Sequence, residues 1–340
     1  MLESIISIIV TYGTKKRLPN LVKELRSLDK INEIKKIIIV ANGANYNIED
    51  EILQLQLSIE IEYVINLENK GSSGGFKDGI NAALLDENLR YDYILLLDDD
   101  VTIDADSISA IQDVESRGFD GVDSDHIWSL YRPNKYPNTF LRNWDYNLHY
   151  YQNLFGSVSV ERKIFMKKMR NLRKNKNIAC LTTSTYAGLL LPTQAVKNYK
   201  LFPDQNYYLY VDDLDFSVQM IMNDIKIYQI QKAWLQDEDV SFGSSRKFGA
   251  VKDYFQSNES GFRYLYTMRN FSYFIKKNNL VTNRFIFKIN KIIYYASIFI
   301  LFMPKTVSGL KKFSILRQAI NKGLNKEMGA DSNFFERNRN

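Results

Sequence analysis

Three consecutive carboxylates, Asp98, Asp99 and Asp100, follow the apolar run Ile94–Leu97, which reads as a buried strand. Like charges so close together repel, and a strand end that carries three of them calls for a cation. Mg2+ and Mn2+ take oxygen ligands and bridge to substrate phosphates, so either ion suits the position. A bend after Leu97 lets Asp98 or Asp99 bind nucleotide while Asp100 reaches the metal. The plainer alternative is a solvated acidic turn, with Asp104 capping the next helix.

Two other stretches carry chemistry. In "ENKGSSGGFKDGI" (Glu68–Ile80), Gly71, Gly74 and Gly75 permit close backbone approach to a ligand, and a helix expected to start near Phe76 offers free N–H groups to an anion. A flexible loop is the competing reading. The stretch is neither a dinucleotide fingerprint nor a P-loop, because it lacks G-x-G-x-x-G and no Gly-Lys-Ser/Thr follows. In "YVDDLDF" (Tyr210–Phe216), Asp212 and Asp213 open a helix, either as capping residues or with one of them as a general base that deprotonates an acceptor hydroxyl.

The elements that must position these groups alternate. Strands are expected at Ile5–Tyr12, Ile37–Ala41, Glu60–Ile65, Ile94–Leu97, Tyr186–Leu191 and Lys226–Ile230, and helices at Arg17–Leu28, Ile48–Leu57, Phe76–Leu85 and from about Asp213. That alternation predicts an α/β doubly wound, mostly parallel sheet, whose ligands bind at the carboxyl ends of the strands. Residues from Gly121 to about Asn177 read as an irregular aromatic and basic excursion that shapes a cleft. The chain has 340 residues, 45% apolar and 25% charged, with a net charge of +6. This composition describes a folded protein and excludes a disordered one. A single cysteine, Cys180, rules out an intrachain disulfide, and the N-terminus shows no basic region of a secretory signal.

Taken in order, "SIIVTYGTKKRL", "KKIIIVANGA", "ENKGSSGGFKDGI", "YILLLDDDV", "VDDLDF" and "YLYTMRN" resemble the family 2 inverting glycosyltransferases with the nucleotide-diphospho-sugar transferase (GT-A) fold. The likeness covers roughly residues 4 to 275 and is to the subgroup with bacterial galactofuranosyl- and rhamnosyltransferases. It implies a GT-A domain over 1–275, with a nucleotide-binding half (1–120) and an acceptor-binding half (121–275), and a helical C-terminal region over 276–340. It implies donor contacts from Thr11, Tyr12, Asn42, Asn69, Gly71, Gly74, Gly75, Lys77, Asp98 and Asp99. It further implies Mn2+ or Mg2+ at Asp98 and Asp100, Asp213 as base, and Asp212 holding acceptor hydroxyls. Three positions depart from the family pattern. Ala41 stands where an Asp usually precedes Asn-Gly, Asp78 where some members carry Arg, and "AWLQDED" replaces the Trp-His metal motif, so that Asp237 is expected to supply an oxygen ligand instead, or Trp234 to align with the Trp.

The expected reaction moves a sugar, galactofuranose from UDP-galactofuranose by preference, to a hydroxyl of a bacterial cell-surface glycan such as capsule or O-antigen, or of a polyprenyl-diphosphate-linked acceptor. The alternatives are dTDP-rhamnose as donor, or a non-catalytic binding protein with the same fold. A nucleotidylyltransferase is disfavoured because "TYGTKKRLP" lacks the glycines that would hold a triphosphate. The apolar run Ile292–Met303 falls short of the ~20 residues that span a bilayer. Its Lys flanks suit a helix lying on an anionic membrane surface at the cytoplasmic face; the alternatives are a buried core helix or a homo-oligomer (dimer) interface. Nucleic acid is not an expected partner.

Overall fold

The computed structural model describes residues 2–85, 91–118, 126–137, 139–141, 148–161, 177–238, 250–256, 261–304 and 306–336. The chain divides into two compact units: Met1–Tyr146, Leu172–Gln205 and Asp213–Ser241 in the first, Asn147–Asn171, Asn206–Asp212 and Phe242–Asn340 in the second.

The first unit is built on an eight-stranded sheet. Its strands are β1 (Ile5–Tyr12), β2 (Ile34–Asn42), β3 (Glu60–Asn66), β4 (Tyr93–Asp98), β6 (His126–Ser129), β7 (Ile178–Leu181), β8 (Leu189–Pro192) and β9 (Lys226–Ile230), in the order β3-β2-β1-β4-β8-β6-β9-β7. β3, β2, β1 and β4 run parallel, β8 runs antiparallel to both β4 and β6, β6 and β9 are parallel, and β7 closes the far edge antiparallel to β9. A separate antiparallel ribbon pairs β5 (Val101–Ile103) with β10 (Leu235–Asp237).

Continuous apolar runs suit these strands because the sheet is covered on both faces. Ile5 and Ile9 of β1, with Leu95 and Leu97 of β4, enter one core layer, packed by Leu21, Leu25 and Leu28 of α1 (Leu18–Leu28), Ile48 and Ile52 of α2 (Ile48–Leu53) and Ile108 and Ile111 of α4 (Ala105–Arg117). Ile6, Ile8, Ile94 and Leu96 enter the other, packed by Phe76 and Ile80 of α3 (Gly71–Leu85), Val196 of α5 (Thr193–Tyr199) and Phe216 and Met220 of α6 (Asp212–Met222). The remaining helices are α7 (Ala250–Gln256), α8 (Gly261–Lys277), α9 (Arg284–Ser297) with a π-helical extension over Ile298–Phe302, α10 (Val307–Leu324) and α11 (Ser332–Glu336).

Several elements depart from the expected bounds. α3 starts at Gly71, not near Phe76, because Asn69 Oδ1 accepts the Gly71 N–H at 2.8 Å and starts the helix a turn and a half early. α2 stops at Leu53 rather than Leu57. Tyr186 and Ala187 are not in β8; the Tyr186 ring packs on Phe76 with centroids 4.4 Å apart. The stretch expected to leave the sheet returns to it, since β6 lies between β8 and β9 with Trp128 fully buried. The basic run Lys167–Lys176 lies outside the described residues.

Gly75 and Gly79 set how closely α3 approaches the sheet. A Cβ on Gly75 would sit 2.5 Å from Val10 Cγ1, and one on Gly79 would sit 2.4 Å from Ile8 Cγ2 and 3.0 Å from Val40 Cγ2. Gly79→Ala is therefore expected to lift the helix off β1 and β2 and to cost about 1–3 kcal/mol, read by urea denaturation.

Candidate active site

The acidic turn at the end of β4 divides its three carboxylates. Asp99 turns inward: it is 2% exposed, accepts the Thr11 hydroxyl hydrogen at 2.6 Å and pairs with Arg17, whose guanidinium also stacks over the Tyr12 ring. Its carboxyl is pushed up to about 6 by burial, against the pull of Arg17 and the Thr11 hydrogen bond. Asp98 and Asp100 remain partly open. Asp100 is pushed up to about 7 by burial and by the charges of Asp98 and Asp99. Asp104 Oδ1 accepts the Ser107 N–H at 3.3 Å and caps α4, as the plainer reading of this turn expects.

The β5–β10 ribbon brings Asp237 to the same turn. Glu238 N–H donates to the Asp100 carbonyl at 2.8 Å, and Asp237 stands in register with Val101. Arg132, 3% exposed, pairs with both oxygens of Asp237, and its Nη1 lies 3.8 Å from Asp98 Oδ2. Asp237, expected to offer an oxygen to a metal, is thus already held by a guanidinium. Trp234 sits further along, its N–H and carbonyl both bonded to the Ser107 hydroxyl.

Neither Arg17 nor Arg132 was among the residues the sequence singled out. Arg17 lies within the quoted "TYGTKKRL", where Lys15 and Lys16 are equally good cations, and nothing in the string says which one turns inward. Arg132 follows "HIWSLY", where an apolar run ending in Arg-Pro was the available signal.

The donor candidates divide in the same way. Thr11 and Tyr12 end β1 beside Asp99, and Tyr12 is 47% exposed. Asn42 is spent inside the chain: its Nδ2 donates to the Gly71 carbonyl at 2.8 Å and its Oδ1 accepts the Lys70 N–H at 2.9 Å. Gly71, Gly74 and Gly75 are buried. The space beside Gly74 is taken by Lys70 and that beside Gly75 by Val10 and Asn42, so the lack of a side chain at these two positions serves packing within the chain. Lys77 Nζ lies 3.4 Å from Gln205 Oε1, while Asp78 accepts from Lys70 and Asn66. At the carboxyl ends of β2 and β3 is a cleft of about 330 Å³ walled by Ala41, Ala44, Tyr46, Asn47, Ile48, Glu49 and Ile65. With Ala at position 41, the carboxylate at this cleft is Glu49 of α2 and not a residue of the β2 end.

Asp213 lies in the first unit and is raised above its ordinary value by burial and by Asp98, against a hydrogen bond from the Leu214 N–H. Asp212, 3% exposed, belongs to the second unit. The chain reaches it through a strained loop. Tyr208, Tyr210 and Val211 have φ of 64°, 65° and 69°, a region that side chains avoid, a β-branched one above all. Asn270, wholly buried, holds that loop by donating its amide hydrogens to the carbonyls of Tyr207, Leu209 and Tyr210 at 2.8, 2.6 and 2.9 Å. Arg269, beside it, donates to the Tyr207 and Gly329 carbonyls. The Arg-Asn of "YLYTMRN" is thus a clamp on the loop leading into α6.

Asp98 and Asp100, both partly open, are the residues of this turn that would hold a divalent ion. Burial and the charges of Asp98 and Asp99 raise the proton affinity of Asp100, and a hard cation would relieve that. Among the described residues no three His, Cys, Asp or Glu side chains gather into a ready-made cage, so substrate oxygens would have to complete the shell.

Residues 7–185 match the family described as Glycosyl transferase family 2, and the chain belongs to it. It is a glycosyltransferase that uses a nucleotide sugar, built on the GT-A fold. The match includes the Asp98–Asp100 turn and ends before Asp212. The chain is also similar to the crystal structure of S. aureus TarS 1-349 in complex with UDP-GlcNAc, at 10% identity and a TM-score of 0.47, covering 94% of this chain and 91% of that one. A mannosyltransferase, PcManGT from Pyrobaculum calidifontis in complex with GDP-Man and Mn2+, aligns at 9% identity and a TM-score of 0.48, covering 94% and 75%. No curated protein sequence matches the chain.

Two outcomes follow from the charges. Arg132→Ala would leave Asp237 buried without its counter-charge and is expected to cost about 3–5 kcal/mol in urea denaturation. Glu24 on α1 is fully buried, and neither of its oxygens meets a hydrogen-bond partner. Burial, then the charges of Asp99, Asp100 and Asp98, hold its carboxyl well above the ordinary value. Below that ordinary value both folded and unfolded chains carry the proton and the group contributes nothing. Above it the unfolded chain ionises first, so stability is lost as pH rises towards the folded value. Glu24→Gln should therefore melt higher than wild type at about pH 8, with the gap closing towards about pH 4.

Proposed function

We propose that this glycosyltransferase works by inverting single displacement, with Asp213 as base and Asp98 and Asp100 at the leaving diphosphate. The observation that carries this reading is the pairing of two carboxylate positions in one unit: the turn that ends β4, and Asp213, whose proton affinity is raised partly by Asp98. Asp213 takes the proton of the acceptor hydroxyl as that oxygen bonds to the anomeric carbon. The bond from this carbon to the diphosphate oxygen breaks, and its electron pair leaves with the diphosphate. Attack from the face opposite the leaving group inverts the configuration. A divalent ion, when bound, supplies positive charge for that departure. Asp99, fixed by Thr11 and Arg17, keeps the turn in position.

UDP-galactofuranose is the favoured donor and dTDP-rhamnose the runner-up. Support comes from the likeness of Glu68–Ile80 and the following strand to the subgroup that uses these sugars. The acceptor reading, a hydroxyl of a bacterial surface glycan or of a polyprenyl-diphosphate-linked oligosaccharide at the inner face of the cell membrane, rests on the same likeness.

Thermal unfolding with UDP and with dTDP, each with and without Mn2+, separates these. A nucleotide at about 100 times its Kd stabilises by about 2.7 kcal/mol, a visible melting shift. A Mn2+-dependent shift with UDP is the expected result, and it should persist in Asp213→Asn while sugar transfer falls by about 10²–10⁴. Near wild-type transfer by Asp213→Asn would remove the base assignment, and transfer indifferent to EDTA would remove the metal.

A further inference from the structure

The second unit carries an apolar face that its own core does not use. Among the described residues, one helix, Arg284–Phe302, is long and apolar enough to cross a membrane, and only 17% of its apolar stretch is buried. Its inner side is fastened by specific bonds. Asn290, wholly buried, donates to the Asn153 carbonyl at 2.7 Å and accepts the Val160 N–H at 3.2 Å. Tyr294 shares a hydrogen bond with Tyr264 at 2.8 Å, and Gly156 leaves room for the Tyr294 ring, which would meet a Cβ there at 2.3 Å. A helix held side-on by buried polar groups cannot leave to span a bilayer without breaking them. Its outer side nonetheless presents Phe285, Ile292, Phe299, Ile300 and Leu301 to solvent, and Val307 opens α10 beside it, 85% exposed.

Charge says what covers this face. Residues 260–326 hold thirteen Lys and Arg and no Asp or Glu, which leaves 32 Lys and Arg against 39 Asp and Glu in the rest of the chain. The protein's positive charge is therefore concentrated in the segment that carries the exposed apolar helix, with Arg284, Lys288 and Lys311 exposed. A second copy of the chain would bring the same positive charge against itself. An anionic lipid surface offers an apolar phase for the side chains and opposite charge for the lysines.

We propose that the outer face of Arg284–Phe302, with the start of α10, docks the protein side-on in the interface of an anionic phospholipid bilayer. The helix lies in the headgroup plane, Ile292, Phe299, Ile300 and Leu301 enter the acyl boundary, and Lys288 and Lys311 contact lipid phosphates.

Co-flotation of the full chain with vesicles tests this independently of any transfer reaction. Binding is expected to vesicles of phosphatidylcholine and phosphatidylglycerol at about 7:3 and to be at least about tenfold weaker to phosphatidylcholine alone or in high salt. Ile292→Ser/Ile300→Ser/Leu301→Ser should abolish flotation with its melting temperature kept, because the three side chains are already in solvent. Lys288→Glu/Lys311→Glu should lose about tenfold or more, since each cation near such a surface contributes about fivefold. Failure to float with the anionic vesicles overturns the proposal, as does binding that ignores the lysine changes. So does light scattering that shows a dimer which the serine variant dissolves, because a second copy would then own the face.

Discussion

Everything at the site depends on how three adjacent negative charges share one turn. The chain resolves the repulsion by direction. Asp99 is drawn into the protein by a hydroxyl from β1 and a guanidinium from the turn after it, and this frees its neighbours to face outward. Parallel pairing of β1 and β4, with Val10 opposite Asp98, puts the two strand ends level, so Thr11 reaches Asp99 without distortion. The contact is thus a consequence of register. A slip of one residue would turn the hydroxyl to the other face and leave a buried carboxylate with only one partner.

Around that turn the protein uses guanidinium groups where a denser cation would otherwise be needed. Arg17 and Arg132 approach from opposite ends of the chain's first half and meet different members of the cluster. Asp98 is shared between solvent and Arg132, and Asp100 has only like charges and burial around it apart from the two distant guanidiniums. The remaining field is still negative. It reaches Glu24 on α1, whose carboxyl, buried without a hydrogen-bond partner, is held well above its ordinary value.

The parallel half of the sheet was legible from composition because a strand buried on both faces is apolar nearly throughout, and Ile5–Tyr12 was read to the residue; so, in the mixed half, was Lys226–Ile230. Helix starts were harder. Gly-Ser-Ser-Gly-Gly has low helix propensity, and the asparagine side chains that hold Gly71 in place act across the fold, from β2 as well as from the loop itself. β6 was missed because four residues, His-Ile-Trp-Ser, alternate too briefly to show a period. At the site, the acids could be found by their runs, since three carboxylates together are conspicuous in any string. Their cationic partners are single residues whose role is assigned only by folding: nothing local distinguishes Arg17 from Lys16. The glycines are ambiguous in an instructive way, as the same lack of a side chain serves ligand approach and helix-on-strand contact, and the sequence shows only the lack.

The loop before α6 has a further consequence. Its unfavourable left-handed residues are restrained by one carboxamide that offers two hydrogens to three carbonyl oxygens. Aspartate has nearly the same outline as asparagine, yet its carboxylate has only lone pairs and would face those carbonyls as a repulsive isostere. Shape alone therefore cannot satisfy position 270. What the fold requires there is a donor, and the conformation of the chain leading to Asp212 depends on the amide nitrogen at that position beside the Arg269 guanidinium.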